Sequence, residues 1–312
     1  MTEVLTVGRV SVDLYPEQFG VPLAEVRTFR KMLGGSPTNV AVAAARLGRR
    51  AAVVTKVGDD GFGSYVREAL LGFGVDGSRV GTDPELRTPL AFCEIHPPDS
   101  FPLLFYRQPS APDLQLHPGE LDLDEVVRVP VFWTTGTGLS EEPSRTTTLD
   151  ALRARGRRSF TVHDLDYRPA FWASPGDAGR WGREALAWAS VAVGNAEEAA
   201  VVLGREAPPE ECAGELLDLG VELAVVKLGS GGVLGATADE VVVVPAVDVD
   251  VLNGLGAGDA FGGALCHGLL SGWELERVLR FANAAGALVA TRLGCADEMP
   301  TEDEVEELLC SA

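Results

Sequence analysis

The segment 253–263 reads NGLGAGDAFGG and combines glycines, one carboxylate and small residues that a helix accepts. It follows the β-branched run VVVVPAVDVDVL, so the pattern predicts a strand, a glycine loop and the start of a helix. Glycines let the backbone approach a ligand closely, and the N–H groups at the positive end of a helix attract anions. The segment therefore predicts an anion-binding loop.

Asp259 is the residue in this segment that could do acid–base chemistry. A carboxylate at the mouth of an anion site would repel a resident phosphate, so it fits better as a base for a nucleophile that attacks the phosphate. An aspartate that caps the helix N-terminus explains the same residue equally well. The spacing is neither that of a Walker A loop nor that of a dinucleotide fingerprint.

The elements that must position this segment alternate between short β-branched runs and helical runs. VLTVGRVSVDLYP (4–16) predicts a strand with Gly8 and Asp13 near its tip, and LGGSPTNVAVAAARLG (33–48) predicts a helix with proline in its first turn. RAAVVTKVG predicts a strand and GFGSYVREALLGFGV a helix, and further strands are predicted in VFWTTGTGLS, FTVHDLDYRP, VAVGNAEEAAVVLG and ELAVVKLGSGG. This alternation predicts an α/β fold with a parallel sheet, whose carboxyl ends are the expected site of ligand binding.

The stretch from Thr88 to His117 breaks this rhythm because it is rich in proline and aromatic residues. It predicts two extended strands joined by a turn at 96–100. An antiparallel edge of the sheet and a flap beside it explain the pattern equally well. No repeat or linker divides the chain, so we predict one domain over 1–312.

The composition excludes several classes of protein. The chain has 46 acidic and 26 basic residues, which give a formal charge of −20. This charge argues against nucleic-acid binding. No apolar run is long enough for a membrane span, and the N-terminus lacks a signal-peptide pattern, so we expect a cytoplasmic protein. The five cysteines and four histidines are scattered and indicate neither a zinc site nor a disulfide framework.

Two of these segments resemble the paired signatures of the ribokinase-like (PfkB) sugar kinases. GAGDAF resembles the C-terminal signature and LGGSPTNVAVAAARLG the N-terminal one, and KLGSGG, ANAAGALVATRLG and an N-x-x-E motif extend the likeness over essentially the whole chain. The resemblance implies a three-layer αβα ribokinase-like fold with a mostly parallel central sheet. It also implies a small β-strand lid drawn from about 9–30 and 88–116.

The resemblance also implies a role for individual residues, with ATP and Mg²⁺ as cofactors. Asp259 would be the catalytic base and the N–H groups of Gly256, Ala257 and Gly258 the anion hole. Substrate contacts are implied for Asp13, Gly34, Gly35, Asn39, Arg107 and Arg168. Nucleotide contacts are implied for Asn195, Lys227, Gly229, Gly232, Asn283 and Gly286, and Glu198 would serve the metal.

Within the family, SVDLYPEQ, FCEIHPPDSFPLLFYR and HDLDYRPAFW resemble the branch that phosphorylates the terminal hydroxyl of 5-dehydro-2-deoxygluconate in myo-inositol catabolism. A sister branch acts on 2-keto-3-deoxygluconate and remains an alternative. Both substrates carry a carboxylate, for which Arg107 and Arg168 are the candidates, with Asp164 and Asp166 beside the second arginine. The same likeness makes a homodimer through the lid possible.

Two further alternatives come from other classes of protein. A non-catalytic sugar or nucleotide sensor could use the same pocket, but the intact Asp259 argues against it. A dinucleotide-dependent dehydrogenase fails because no GxGxxG follows the first strand.

The sequence departs from the family at Asn253 and Gly254, where many relatives carry Asp-Thr. An amide in place of a carboxylate removes charge near the metal, and potassium activation is therefore not predicted.

Overall fold

Residues 1–311 are described by a computed structural model, in which they form one large and one small β-sheet with helices on both faces of the large one. The strands are β1 (Val4–Val7), β2 (Ser11–Pro16), β3 (Phe29–Gly34), β4 (Ala51–Gly58), β5 (Val80–Asp83), β6 (Leu90–Cys93), β7 (Leu103–Tyr106), β8 (Val131–Thr135), β9 (Thr161–Asp164), β10 (Val191–Asn195), β11 (Leu223–Lys227), β12 (Val233–Ala236) and β13 (Val241–Val244).

The helices are α1 (Ser36–Arg46), α2 (Gly61–Gly72), α3 (Leu123–Arg128), α4 (Ser144–Arg155), α5 (Pro175–Leu186), α6 (Ala196–Leu203), α7 (Pro209–Asp218), α8 (Ala257–Leu270), α9 (Leu275–Ala290) and α10 (Glu302–Ser311). Short 3-10 turns connect several of them. Among residues 1–311, no helix is both long enough and apolar enough to pass through a membrane.

The large sheet has the strand order β13-β12-β11-β10-β9-β8-β1-β4-β5. All neighbours from β5 to β11 are parallel, and only β12 and β13 run antiparallel at one edge. One hydrophobic cluster joins the sheet to α1, α8 and α9, while two others join it to α4 and to α6 and α7. The predicted three-layer fold with a mostly parallel sheet is therefore confirmed.

The helices that border the site pack closely because their contact residues are small. A side chain on Gly263 of α8 would place its Cβ 2.3 Å from Cβ of Ala43 on α1, and one on Gly262 would meet Trp133 at 2.8 Å. Neither position tolerates a larger residue without moving a helix. The small residues of both signature segments thus fix α1 and α8 side by side.

The small sheet has the order β3-β2-β6-β7, with β2 and β6 parallel and the outer pairs antiparallel. Its inner face buries Tyr15, Met32 and Cys93 against Cys295 of the main body. We call this sheet the lid sheet. The stretches expected to supply lid strands contain β2, β6 and β7, whereas β3 extends from Phe29 to Gly34, beyond the first stretch.

Two predicted strands were wrong in their extent. VLTVGRVSVDLYP is two strands in different sheets, because Gly8 has φ 133° and turns the chain between β1 and β2. The β-branched run before the glycine segment ends at Val244, since Pro245 has no N–H with which to continue the ladder. An irregular segment, not a strand, therefore leads into 253–263.

Candidate active site

A pocket lies between the lid sheet and the carboxyl edge of the large sheet. Six residues that the sequence predicted for the site line it: Asp13, Gly35, Asn39, Arg168, Gly256 and Asp259. They come from four separate parts of the chain, and the crossing of α1 and α8 beneath the lid sheet brings them together. Arg9, Tyr15, Ser36, Phe105 and Cys295 also line the pocket and were not predicted.

Asp259 lies in the first turn of α8 and does not cap the helix. The N-cap is Gly256, whose φ of 84° is left-handed, and the Oδ2 atom of Asp259 accepts a hydrogen bond of 2.8 Å from Nδ2 of Asn39. Burial raises the pKa of Asp259, although hydrogen bonds from Asn39 and Ser36 act to lower it. A buried carboxylate with a raised pKa and one oriented oxygen is suited to accept a proton.

The start of α8 presents free backbone donors. Within residues 1–311, the N–H groups of Gly256, Ala257 and Gly258 donate no hydrogen bond, whereas that of Asp259 turns back to the Gly256 carbonyl. A side chain at Gly256 would collide with Sγ of Cys295 at 2.6 Å. The glycine loop therefore brings three donors and the helix dipole to one point, as an anion site requires.

Asp13 and the two glycines of the N-terminal signature form one packed unit. A Cβ on Gly34 would lie 2.1 Å from Cγ of Asp13, and Gly35 has φ 101° with its Cβ position against the backbone of Arg9 and Val10. Ser11 donates a hydrogen bond of 2.6 Å to Asp13. Burial raises the pKa of Asp13 to about 6, against the opposing effects of Ser11 and Arg9.

Arg168 reaches the pocket and is paired with Asp166 at 3.2 Å. Asp166 has φ 27°, a strained value for an aspartate, and Thr137 donates a hydrogen bond of 2.7 Å to it. Burial would raise the pKa of Asp166, but Arg168 and Arg9 hold it below its usual value. Of the two aspartates beside Arg168 in the sequence, Asp166 is the one that pairs with it.

Arg107 is not among the residues that line the pocket, in contrast to its predicted contact with the substrate. Its guanidinium binds both oxygens of the buried Asp113, at 2.5 and 3.3 Å. The same Asp113 accepts a hydrogen bond of 2.8 Å from the backbone N–H of Val10. Arg107 therefore helps to fix the turn that carries Arg9, because two of its donors hold the carboxylate that binds Val10.

The predicted nucleotide and metal residues lie at the neighbouring strand ends. Asn195 and Glu198 form a reciprocal capping box at the start of α6, with bonds of 2.8 and 2.7 Å. The Nζ atom of Lys227 lies 3.2 Å from the position that a Cβ on Gly258 would take. Burial would lower the pKa of Lys227, but Asp164, Glu198 and Asp259 raise it overall. A cation thus stands beside the free N–H groups of α8.

The remaining predicted residues surround the loops next to this cation. Gly229 has φ 58° and faces open space, and Gly232 has φ 94° with its Cβ position 2.0 Å from the Val244 carbonyl. Asn283 donates a hydrogen bond of 2.8 Å to the carbonyl of Pro245. Gly286 faces the carbonyl of Ala257, 3.0 Å from its Cβ position, and so lets α9 approach the anion site.

The departure at Asn253 has a structural role. Its side chain is fully buried, donates a hydrogen bond of 2.6 Å to the carbonyl of Leu293 and accepts one of 3.0 Å from the N–H of Leu255. An ionised carboxylate has no proton to donate to a carbonyl, so only the amide makes both bonds. Gly254 beside it accommodates the ring of Phe101, 3.0 Å from its Cβ position.

The comparison with known families decides the class of protein. The chain matches, over residues 1–302, the family described as "pfkB family carbohydrate kinase". It belongs to this family. The predicted sugar kinase, an enzyme that transfers a phosphoryl group to an alcohol, is therefore confirmed at the level of the family.

Several relatives of this pfkB family kinase share one name. Proteins named 5-dehydro-2-deoxygluconokinase from Halalkalibacterium halodurans and Bacillus subtilis are 33% and 31% identical. Each match covers 98% of the chain, and 94% and 95% of the respective relative.

Solved structures share the fold over the full chain. A fructokinase with bound ATP from Xylella fastidiosa is 26% identical with a TM-score of 0.86, over 100% of this chain and 99% of that one. A putative ribokinase II from E. coli, in complex with ATP and Mg²⁺, has a TM-score of 0.89 at 23% identity and covers 100% of both chains.

Proposed function

We propose that this kinase phosphorylates the terminal hydroxyl of a keto-deoxy sugar acid, 5-dehydro-2-deoxy-D-gluconate, to give the 6-phosphate in myo-inositol catabolism. The observation that carries the proposal is the pocket in which Asp259, bound by Asn39, lies together with the guanidinium groups of Arg9 and Arg168. A base for a hydroxyl and cations for a carboxylate are the two requirements of such a substrate. The name shared by the curated relatives supports the same substrate.

In this proposal Asp259 accepts the proton of the substrate hydroxyl as that oxygen attacks. Asn39 holds one oxygen of the carboxylate, which leaves the other oxygen for the incoming proton. Asp13 accepts hydrogen bonds from sugar hydroxyls, and Gly34 and Gly35 give the sugar close access to the backbone. The lid sheet covers the pocket and keeps out water that would compete for the phosphoryl group.

ATP and Mg²⁺ are the cofactors that we assign, and the residues present fit them. When bound, they supply the γ-phosphoryl group and the positive charge that offsets the phosphates. The N–H groups of Gly256, Ala257 and Gly258 and the ammonium of Lys227 would hold the transferred group, and the loop of Gly229 and Gly232 the other phosphates. Glu198 uses one oxygen in its capping box, and the other can serve Mg²⁺ through water.

A homodimer through the lid sheet belongs to the same proposal. The outer face of that sheet carries Phe92 packed edge-on against Phe29 and Tyr106, at ring-centroid distances of 5.5 and 5.3 Å. Leu104 and Tyr106 are 47% and 59% exposed on this face. An apolar sheet face beside open strand edges favours a partner, and a second copy supplies the same surface.

A cytoplasmic location stays a prediction. All five cysteines carry free thiols, which supports a reducing compartment.

The deciding experiment is a coupled assay of ADP formation with purified enzyme and a panel of sugars. The panel contains 5-dehydro-2-deoxygluconate, 2-keto-3-deoxygluconate, and neutral sugars such as ribose and fructose. We expect kcat/KM to be highest for the first acid. A preference for 2-keto-3-deoxygluconate would move the enzyme to the sister branch, and turnover of neutral sugars alone would overturn the proposal. ATP binding without turnover of any member would indicate a sensor.

A further inference from the structure

Arg9 is a charged side chain that the fold buries at the wall of the pocket. It lies in the turn between β1 and β2 and is 8% exposed. Its guanidinium carbon lies over the rings of Phe105 and Phe171, 5.8 and 5.6 Å from their centroids. The rings hold the planar group by cation–π contacts, which leave its N–H edge available for hydrogen bonds.

The donors of Arg9 are not satisfied by residues 1–311. Its Nε atom is buried without a hydrogen-bond partner, and its nearest carboxylate oxygen, on Asp166, lies at 3.8 Å. That distance is too long for a hydrogen bond. Asp166 accepts a hydrogen bond from Thr137 and forms an ion pair with Arg168, whose own Nε atom also lacks a hydrogen-bond partner. A buried guanidinium with open donors is costly unless a ligand completes it.

Several contacts position the turn that carries the Arg9 guanidinium. The backbone carbonyl of Arg9 accepts a hydrogen bond of 3.0 Å from Thr38, and the next N–H, that of Val10, is held by Asp113. Asp113 is itself fixed by Arg107. Arg107 is thus a positioning residue for the turn, whereas Arg9 reaches the pocket.

The charges of the pocket indicate what completes Arg9. Asp166 pairs most closely with Arg168, at 3.2 Å, and lies 3.8 Å from Arg9, while Asp13 and Asp259 add two further carboxylates nearby. With Arg168 as the only cation, this pocket would repel an anionic substrate. A second guanidinium with free donors provides a place for one carboxylate, which accepts two parallel N–H bonds from the planar fork.

We infer that Arg9 binds the carboxylate of the substrate and makes the enzyme selective for sugar acids over neutral sugars. The inference rests on the proposed function and adds a residue that sets its specificity. Arg168, which is paired with Asp166, then contributes a second positive charge to the same carboxylate.

The test compares Arg9→Gln with wild type on two substrates. One is the sugar acid, and the other is its matched analogue with a CH₂OH group in place of the carboxylate. We expect kcat/KM of Arg9→Gln to fall about 10²-fold for the acid and far less for the analogue. Arg9→Lys keeps the charge without the fork, and we expect a fall of about 10-fold for the acid.

Arg107→Gln is the matched control, because it is another buried arginine beside Phe171. It should lower kcat/KM for both substrates by similar factors, since it shifts the turn and not one contact. Equal losses for acid and analogue in Arg9→Gln would overturn the inference. Should Arg9→Gln fail to fold, an unchanged acid-to-analogue ratio in Arg9→Lys would overturn it equally.

The ratio of kcat/KM for the acid to kcat/KM for the analogue in the wild-type enzyme distinguishes a wrong role for Arg9 from a wrong substrate. A wild-type enzyme that favours the acid, with an Arg9→Gln variant that keeps this preference, contradicts the role of Arg9 alone. A wild-type enzyme that favours the analogue contradicts the proposed substrate and the role of Arg9 together.

Discussion

At the scale of single residues, Asp259 is the base that we propose, and its replacement gives the first prediction. Asp259→Asn keeps the shape of the side chain but cannot accept a proton at neutral pH. We expect kcat to fall about 10²- to 10⁴-fold, while KM for ATP and for the sugar acid changes by only a few-fold. Steady-state kinetics with both substrates measure this. Asp303→Asn, at an exposed position on α10, is the control, and an unchanged kcat in Asp259→Asn would remove Asp259 as the base.

Asp13 gives a second prediction, on stability and pH. Its folded-state pKa of about 6 exceeds the ordinary value of 3.8, so the folded protein binds this proton more tightly than the unfolded chain. The buried charge therefore destabilises the protein by about 3 kcal/mol above pH 6, and the penalty disappears as pH falls towards 4. Asp13→Asn removes it.

We accordingly expect Asp13→Asn to raise the free energy of unfolding by about 3 kcal/mol near pH 8 and by almost nothing near pH 4. Urea unfolding at both pH values measures the difference, again beside Asp303→Asn. The variant should bind the sugar acid less tightly although it is more stable, as is common for groups kept for function. A difference that is the same at both pH values would contradict the burial of the charged form.

The sequence was most informative about residues that combine an unusual type with a glycine context. Asp259, Asn39 and Asp13 were predicted, and all line one pocket. Arg9 was missed because a single arginine in an apolar run is indistinguishable from a solvated one until the flanking rings are placed. Arg107 was favoured by its position, but two of its donors bind Asp113, six residues away. Whether Arg9 or Arg107 has unpaired donors depends on which carboxylates the fold places beside them, and residue spacing in the sequence does not encode this.

At the scale of elements, the segment between β13 and α8 determines where the proposed anion site lies. The sequence predicted α8 and its glycine loop correctly but expected a strand directly before them. The segment is instead held by two side-chain hydrogen bonds, from Asn283 to the carbonyl of Pro245 and from Asn253 to the carbonyl of Leu293. The partners of these two hydrogen bonds are 38 and 40 residues apart in the chain, so local sequence propensity does not reveal them.

These two hydrogen bonds give the third prediction. In Asn253→Asp, an oxygen replaces the N–H group that faces the Leu293 carbonyl, in a fully buried place. We expect the free energy of unfolding to fall by about 1 to 3 kcal/mol at neutral pH. Asn283→Asp is the matched control, because its hydrogen bond to Pro245 is exposed and water can replace it. Equal losses in thermal or urea unfolding would show that burial of the Asn253 amide is not what matters.

At the scale of the whole molecule, the lid sheet lies between the candidate active site and the proposed dimer interface. Its inner face packs Tyr15 against Cys295 beside Gly256, with a distance of 2.8 Å from the Tyr15 hydroxyl to Sγ. Its outer face exposes Leu104 and Tyr106. One layer of strands thus touches the substrate pocket on one side and, in our proposal, a second copy on the other.

The last prediction concerns this outer face. Tyr106→Lys places a charge on the proposed interface, where burial would leave it unpaired, so we expect a dimeric wild type and a monomeric variant at micromolar concentration. Light scattering after size-exclusion chromatography measures the mass of both. Leu71→Lys is the control, since Leu71 on α2 is 79% exposed but lies outside the lid sheet. A monomeric wild type, or a dimer that both variants keep, would show that the outer face is not the interface. If the lid dimer forms, Tyr106→Lys should also raise KM for the sugar acid, because the lid sheet carries Asp13 and Phe105 on its inner face.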